Sequence, residues 1–128
     1  MPPVLSLGKI DLSIYRCVTP DIVTDEVILT DERIAHIRER HSNVFECFSV
    51  YLRKILSEPD FIIRDDRFAT AIVLKMIQDG GNKFRISLRL ATSNDNPAYK
   101  NSVLTFLNIR EKEWNRLLRN KEVLYKRE

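Results

Sequence analysis

The chain has 128 residues, 44% of them apolar and 30% charged, with a formal net charge of +3. This is the profile of one globular domain spanning residues 1–128, and it excludes disordered, collagen-like and disulfide-scaffold classes. No apolar run approaches the ~20 residues of a membrane span.

The opening MPPVLSLGKIDLSIY lacks the basic stretch and apolar core of a secretion signal. Cys17 and Cys47 are too few for a disulfide framework and read as buried, reduced thiols, so a cytoplasmic location is expected. Charge is unevenly spread. The first 82 residues carry 10 Lys/Arg against 13 Asp/Glu, and the rest carry 11 against 5. A basic half on a near-neutral protein points towards a polyanionic partner, although charge runs also serve simply to solvate a surface.

In chain order, GKIDLSIYRCV alternates Ile10, Leu12 and Ile14 with polar neighbours and predicts a half-buried strand over about 9–18. EVILT is a candidate second strand. TDERIAHIRERH predicts a helix: Thr30 or Asp31 can cap it, acidic residues occupy its first turn and basic ones its last. Asn43 starts a second helix, with Glu46 three residues on as in a capping box. Val44, Phe48, Tyr51 and Ile55 give that helix a wide apolar face, and Pro59 stops it.

Four strands are predicted next, at 61–64, 69–78, 83–90 and 102–109. DGGN makes the hairpin turn between the second and third, because its glycines accept positive φ. ATSNDNPAYKN can only be a loop. EKEWNRLLRN reads as a short helix, and EVLYKRE is a tail able to add an edge strand. The expected class is therefore α+β: N-terminal strands and two helices, a four-stranded antiparallel sheet covered on one face, and a short C-terminal helix.

KFRISLRL is the clearest two-faced strand. Phe84, Ile86, Leu88 and Leu90 point to the core, while Lys83, Arg85, Ser87 and Arg89 point away, about 7 Å apart. Such a row suits a phosphate backbone, because guanidinium groups bind phosphate oxygens bidentately; it also suits a solvated outer face. Lys75 lies in AIVLKMI, apolar on both faces. It is a partnered charge, a snorkelling edge residue or a residue held for chemistry.

His36 and His41 lie five residues apart, which turns their side chains about 140° from one another on a helix. The spacing is not the i, i+4 of the zinc-peptidase motif, no ligand cluster accompanies it, and neither metal nor cofactor is expected. His41 suits a helix C-terminus. His36 has no such structural role and is the candidate for proton transfer near neutral pH. Ser102 and Thr105 place hydroxyls in an otherwise apolar strand.

Together, VILTDERIAHIRERHSN, KILSEPDFII, AIVLKMI, NSVLTFLNI and VLYK resemble the phage-type nucleases of the barnase–EndoU–colicin–RelE (BECR) superfold, found in prophage proteins and polymorphic toxins. The resemblance covers about residues 8–126. It implies metal-independent RNA cleavage, in which the ribose 2′-OH attacks the adjacent phosphate. Carried over by matching motif, His36, Lys75, Ser102 and Thr105 are the catalytic set, with His41 at the substrate-binding edge. Strand parity adds Arg85 and Arg89 as substrate-binding residues.

RNA is the implied partner, tRNA among the candidates, with an immunity protein or antitoxin as a further one. Two other classes stay open: a non-catalytic RNA- or DNA-binding domain of the same fold, and a toxin–immunity interaction module. Ser102 and Thr105 differ by an odd number, so a regular strand sends them to opposite faces. A bulge, or an irregular Ser102 at the strand end, is needed to unite them. No glutamate lies in a sheet segment where the resemblance would place a barnase-like base, which leaves histidine as the base or a mechanism of positioning and electrostatics.

Overall fold

Among the described residues every strand joins one sheet. The structure, a computed structural model, describes residues 4–41 and 43–127; residues 1–3, 42 and 128 lie outside it. The elements run β1 (Val4–Lys9), α1 (Leu12–Tyr15), β2 (Glu26–Thr30), α2 (Asp31–Arg40), α3 (Val44–Phe48), a 3-10 turn (Ser49–Tyr51) and α4 (Leu52–Ser57). They continue with β3 (Phe61–Arg64), β4 (Thr70–Ile77), β5 (Asn82–Arg89), β6 (Asn101–Ile109), α5 (Glu111–Asn120) and β7 (Val123–Lys126).

The α+β class is as expected, but the sheet is larger than the four antiparallel strands predicted. It has seven, in the order β1-β2-β6-β5-β4-β3-β7. The four predicted strands form its centre and β7 closes one edge. β1 and β2 extend the other, where β2 lies parallel to β6 through Val27↔Asn101 and Ile28↔Ser102. Hairpin chemistry announces neighbours joined by a tight turn, as DGGN does with Gly80 at φ +82° and Gly81 at φ +67°. Nothing local announces a parallel pairing between distant segments.

The strand predicted over 9–18 is corrected. β1 ends at Lys9, and Leu12–Tyr15 forms a helical turn instead. Asp11 is the cause: its carboxylate accepts from the Ser13 amide at 2.9 Å and the Ser13 hydroxyl at 2.6 Å. A side chain that bonds the backbone two residues on competes directly with a strand ladder. The second helix also differs. It is broken by the 3-10 turn, and Asn43 sits at φ +69° with no side-chain cap bond. Glu46 pairs with Arg38 rather than completing a capping box. Both cysteines are free, but Cys47 is exposed and Cys17 only half-buried.

One face of the sheet carries the main core. Val27, Leu29, Val73, Phe84, Ile86, Leu88, Val103 and Phe106 meet Ile34 and Ile37 of α2 and Leu52, Ile55 and Leu56 of α4. Full burial of such side chains contributes roughly 1.5–3 kcal/mol each. The opposite face is covered at one corner, where Trp114 and Leu117 of α5 pack on Ile63, Ile72, Leu74 and Ile109.

Tyr15 fastens the N-terminal segment to the helices. It is fully buried, and its hydroxyl donates to the Leu56 carbonyl at 2.6 Å. Burial pushes that hydroxyl's pKa far up, so it stays a neutral donor. Tyr15→Phe leaves the carbonyl unpaired and is expected to lower stability by about 1–2 kcal/mol. Urea unfolding checks this, with an unchanged slope expected.

Candidate active site on the open sheet face

Strand pairing sorts the candidate residues into rows. Across β4, β5 and β6, one row is Leu74–Arg85–Leu107, the next Ile72–Ser87–Thr105, the next Thr70–Arg89–Ser102. All three rows lie on the face opposite the main core. Between Ser87 and Leu88 the register shifts, and Leu104 is the extra residue on β6. That bulge resolves the parity difficulty, because it brings Ser102 and Thr105 to the same face.

Arg85 anchors this surface. Its side chain is 23% exposed, and its guanidinium lies 3.9 Å from Glu113 at the start of α5. Burial lowers its pKa from the ordinary value, while Glu113 and Asp65 pull it back up. An arginine so placed keeps its charge. Its Nε is buried and unpaired, and so is the Oγ of Ser87, a residue with no exposed surface. Two buried polar atoms without partners in neighbouring rows are costly.

The carboxylates around Arg85 are held ionised. Two hydrogen bonds from Arg116, at 2.6 and 2.8 Å, keep Glu113 below the usual carboxylate range. Arg67 does the same for Asp65.

Arg89 is gripped rather than free. Its guanidinium meets both oxygens of Asp95, at 2.9 and 3.2 Å, and stacks over Phe68 at 5.0 Å from the ring centre. Phe68 is 61% exposed. The turn that presents it is set by Ala69 at φ +47° and by Thr70 Oγ1 donating to the Phe68 carbonyl at 2.8 Å. Beside Arg89, a cleft of about 450 Å³ opens between Ser102, Ile28 of β2, Val4 of β1 and Tyr99 of the loop that precedes β6.

Lys75 lies elsewhere. It pairs across the sheet with Phe84, on the helix-covered face, and is 4% exposed. Its Nζ donates to Asp60 Oδ1 at 3.2 Å, and Asp60 Oδ2 accepts from the Met76 amide at 2.8 Å. Five residues of strand, about 17 Å, separate its row from that of Ser102. The partnered-charge reading is the one the geometry supports.

The histidines are also on the covered side, since α2 buries Ile34 and Ile37 into the main core. Neither lines the Ser102 cleft or the pocket beside Lys75. His41 ends the helix as expected, its amide donating to the Ile37 carbonyl at 2.8 Å. At φ −134° and ψ 82° it leaves helical conformation, so the 140° separation does not hold. Burial lowers its pKa, and the charges of His36 and Arg40 lower it further.

The fold thus unites Arg85, Arg89, Ser102 and Thr105, and does not bring Lys75, His36 or His41 to them. Sequence reasoning missed Phe68, Tyr99, Asp65 and Glu113, which reach the face from loops and a helix. Ser87 was visible in the alternating row but was not selected.

Arginines, hydroxyls and exposed aromatic rings on one sheet face are groups able to bind phosphodiesters. A family model described as phage-Barnase-EndoU-ColicinE5/D-RelE like nuclease2 matches residues 6–126, nearly the whole chain. The chain belongs to that nuclease family. No curated protein and no solved structure matches it. Among the described residues no helix is long and apolar enough to cross a membrane.

Two measurements test these placements. Lys75→Met is expected to change stability by no more than about 1 kcal/mol, whereas Asp60→Ala, which strands a buried charge, costs about 3 kcal/mol; urea unfolding separates them. For His41 the folded pKa lies below the unfolded 6.5. Its contribution is complete above that value and lost as pH falls from 6.5 towards the folded pKa. His41→Gln should flatten that part of the stability–pH curve.

Proposed function

We propose that the protein is an endoribonuclease that works without a metal, on the open face around Arg85. The observation that carries this reading is the pair of buried donors, Arg85 Nε and Ser87 Oγ, left without protein partners. A phosphodiester lying on the face would meet the partly exposed Arg85 guanidinium directly, and Ser87 Oγ, which has no exposed surface, only once the side chains over it shift. Membership of a nuclease family supplies the reaction class.

In this reading the ribose 2′-OH attacks the adjacent phosphorus. The 2′-O–P bond forms as the P–O5′ bond breaks, leaving a cyclic phosphate and a free 5′-hydroxyl. The 2′-OH proton goes to Glu113, which Arg116 keeps ionised and which lies beside Arg85. Water protonates the departing O5′. Negative charge building on the non-bridging oxygens is met by the Arg85 guanidinium, already in position and partly shielded from solvent, where such donors act most strongly. Ser102 and Thr105 position the flanking backbone, and Arg89 holds it in register.

His36, His41 and Lys75 act in this scheme through packing on the covered face, not at the phosphate. RNA is preferred to DNA because the 2′-OH is the nucleophile. The family's phage association supports a prophage or toxin setting, with an immunity protein or antitoxin as the partner that would cover this face.

Incubation of total cellular RNA with purified protein in EDTA tests the reading. Cleavage is expected to persist, and DNA of matched sequence to remain intact. Arg85→Ala should slow cleavage by about 10²–10³-fold. Glu113→Gln should slow it and remove the acidic limb of the pH profile, while Lys75→Met and His36→Ala leave the rate essentially unchanged. Activity lost in EDTA and restored by a divalent ion, or full activity in Arg85→Ala, would overturn the scheme. RNA binding without cleavage would make the domain a binding module.

A further inference from the structure

The cleft beside Ser102 has a composition that phosphate binding does not explain. At about 450 Å³ it falls within the range of preformed small-ligand sites. Val4, Ile28, Ala91 and Ala98 give it apolar walls, and the Tyr99 ring forms one side. Cations stand only at its rim: Arg89, held by Asp95, and Lys100, paired with Glu26 at 2.6 Å. Tyr99 is 60% exposed although it borders an apolar cleft.

A solvated ring flanking a roomy apolar slot, with phosphate-binding groups next to it, fits a flat aromatic guest on a polyanionic chain. The loop that carries Tyr99 is built to stay put. Asp95 accepts from the Thr92 amide at 2.8 Å, Ser93 Oγ donates to Asp21 at 2.7 Å, and the Tyr99 amide donates to the Asn96 carbonyl at 2.9 Å. A wall already ordered spares the complex the cost of ordering it on binding.

We propose that this cleft is a nucleobase pocket, stacking one base on Tyr99 while the backbone runs over Arg89 towards Arg85, and that the substrate is therefore single-stranded RNA. The proposal rests on the nuclease reading and deepens it. A base can enter only when it is unpaired and unstacked, which a duplex does not allow without opening. Stacking on an exposed aromatic ring is tolerant of base identity, while the Ser102 and Thr30 hydroxyls at the cleft wall are able to bond a base edge.

The experiment measures binding by fluorescence anisotropy and cleavage under single turnover, using the full chain. The probes are a short single-stranded RNA, the same strand annealed to its complement, and a set with one abasic nucleotide at each position in turn. Wild-type protein is expected to bind the single strand about tenfold more tightly than the duplex, and one abasic position to weaken binding by about tenfold. Tyr99→Ala should weaken binding of the intact strand to a similar degree and abolish the abasic penalty, because the two changes remove the same contact. Its single-turnover cleavage at sub-saturating protein should fall in step with its binding. Ala98→Phe, which fills the slot without removing the ring, should behave likewise.

Equal binding and cutting of duplex and single strand, or an abasic penalty that persists in both variants, would overturn the pocket while leaving the nuclease reading intact. Failure of wild-type protein to bind or cut any of the RNAs would remove both.

Discussion

A strand flanked by two others can send only every second side chain to each face, and β5 is where that constraint decides this protein. Its even residues Phe84, Ile86 and Leu88 are wholly buried under the helices, with Leu90 continuing the series just past the strand. Arg85, Ser87 and Arg89 are thereby committed to the other face, with no freedom to turn inwards. The neighbours follow. Leu74, Ile72 and Thr70 on β4 and Leu107, Thr105 and Ser102 on β6 are set beside them by ladder register. A change of one residue in that register would bury the arginines and expose the core.

Having placed cations on a half-covered surface, the fold must keep them there. Burial alone disfavours a charged Arg85, and the ionised carboxylates of Glu113 and Asp65 offset that cost. Those carboxylates are in turn held by Arg116 and Arg67. The result is a network with alternating signs, yet one donor of Arg85 remains unsatisfied within it. Arg89 is treated differently: Asp95 and the Phe68 ring fix its orientation on both sides. One arginine is left wanting an acceptor and the other is locked as a guide. This asymmetry is what makes the Arg85 row the reacting position in our reading and the Arg89 row a binding one.

Much of this was legible in the residues. The alternation of KFRISLRL, the DGGN turn and the lengths of the apolar runs suffice for β3 to β6, for α5 and for the face that the arginines occupy. The shared face was legible as a condition: Ser102 and Thr105 needed either a bulge between them or an irregular Ser102 at the strand end, and the extra residue Leu104 makes it the bulge. What was illegible is non-local. The parallel β2–β6 pairing builds one wall of the cleft, and no turn signal marks it. Phe68, Tyr99 and Glu113 come from two loops and a helix, and their convergence depends on the whole sheet being assembled. Asp11 shows the opposite failure, where a single carboxylate turned an alternating stretch into a helical turn.

Lys75 shows how far register alone could have gone. Both faces of AIVLKMI are apolar, so composition leaves its orientation open. The hairpin does not. With Ile77 opposite Asn82 across the DGGN turn, counting back two residues sets Lys75 against Phe84 and leaves Arg85 facing Leu74. Phe84 belongs to the core, so Lys75 must share its face, and the arginine must lie on the other. A lysine held there needs a carboxylate, and Asp60, immediately before β3, supplies it at 3.2 Å. The same sheet therefore carries two charged clusters on opposite faces. In one, Asp60 holds the buried Lys75; in the other, Arg85 and Ser87 each keep a buried polar atom without a partner. In our reading, the partly exposed guanidinium of Arg85, rather than the charge Asp60 already holds, is the group left for a substrate.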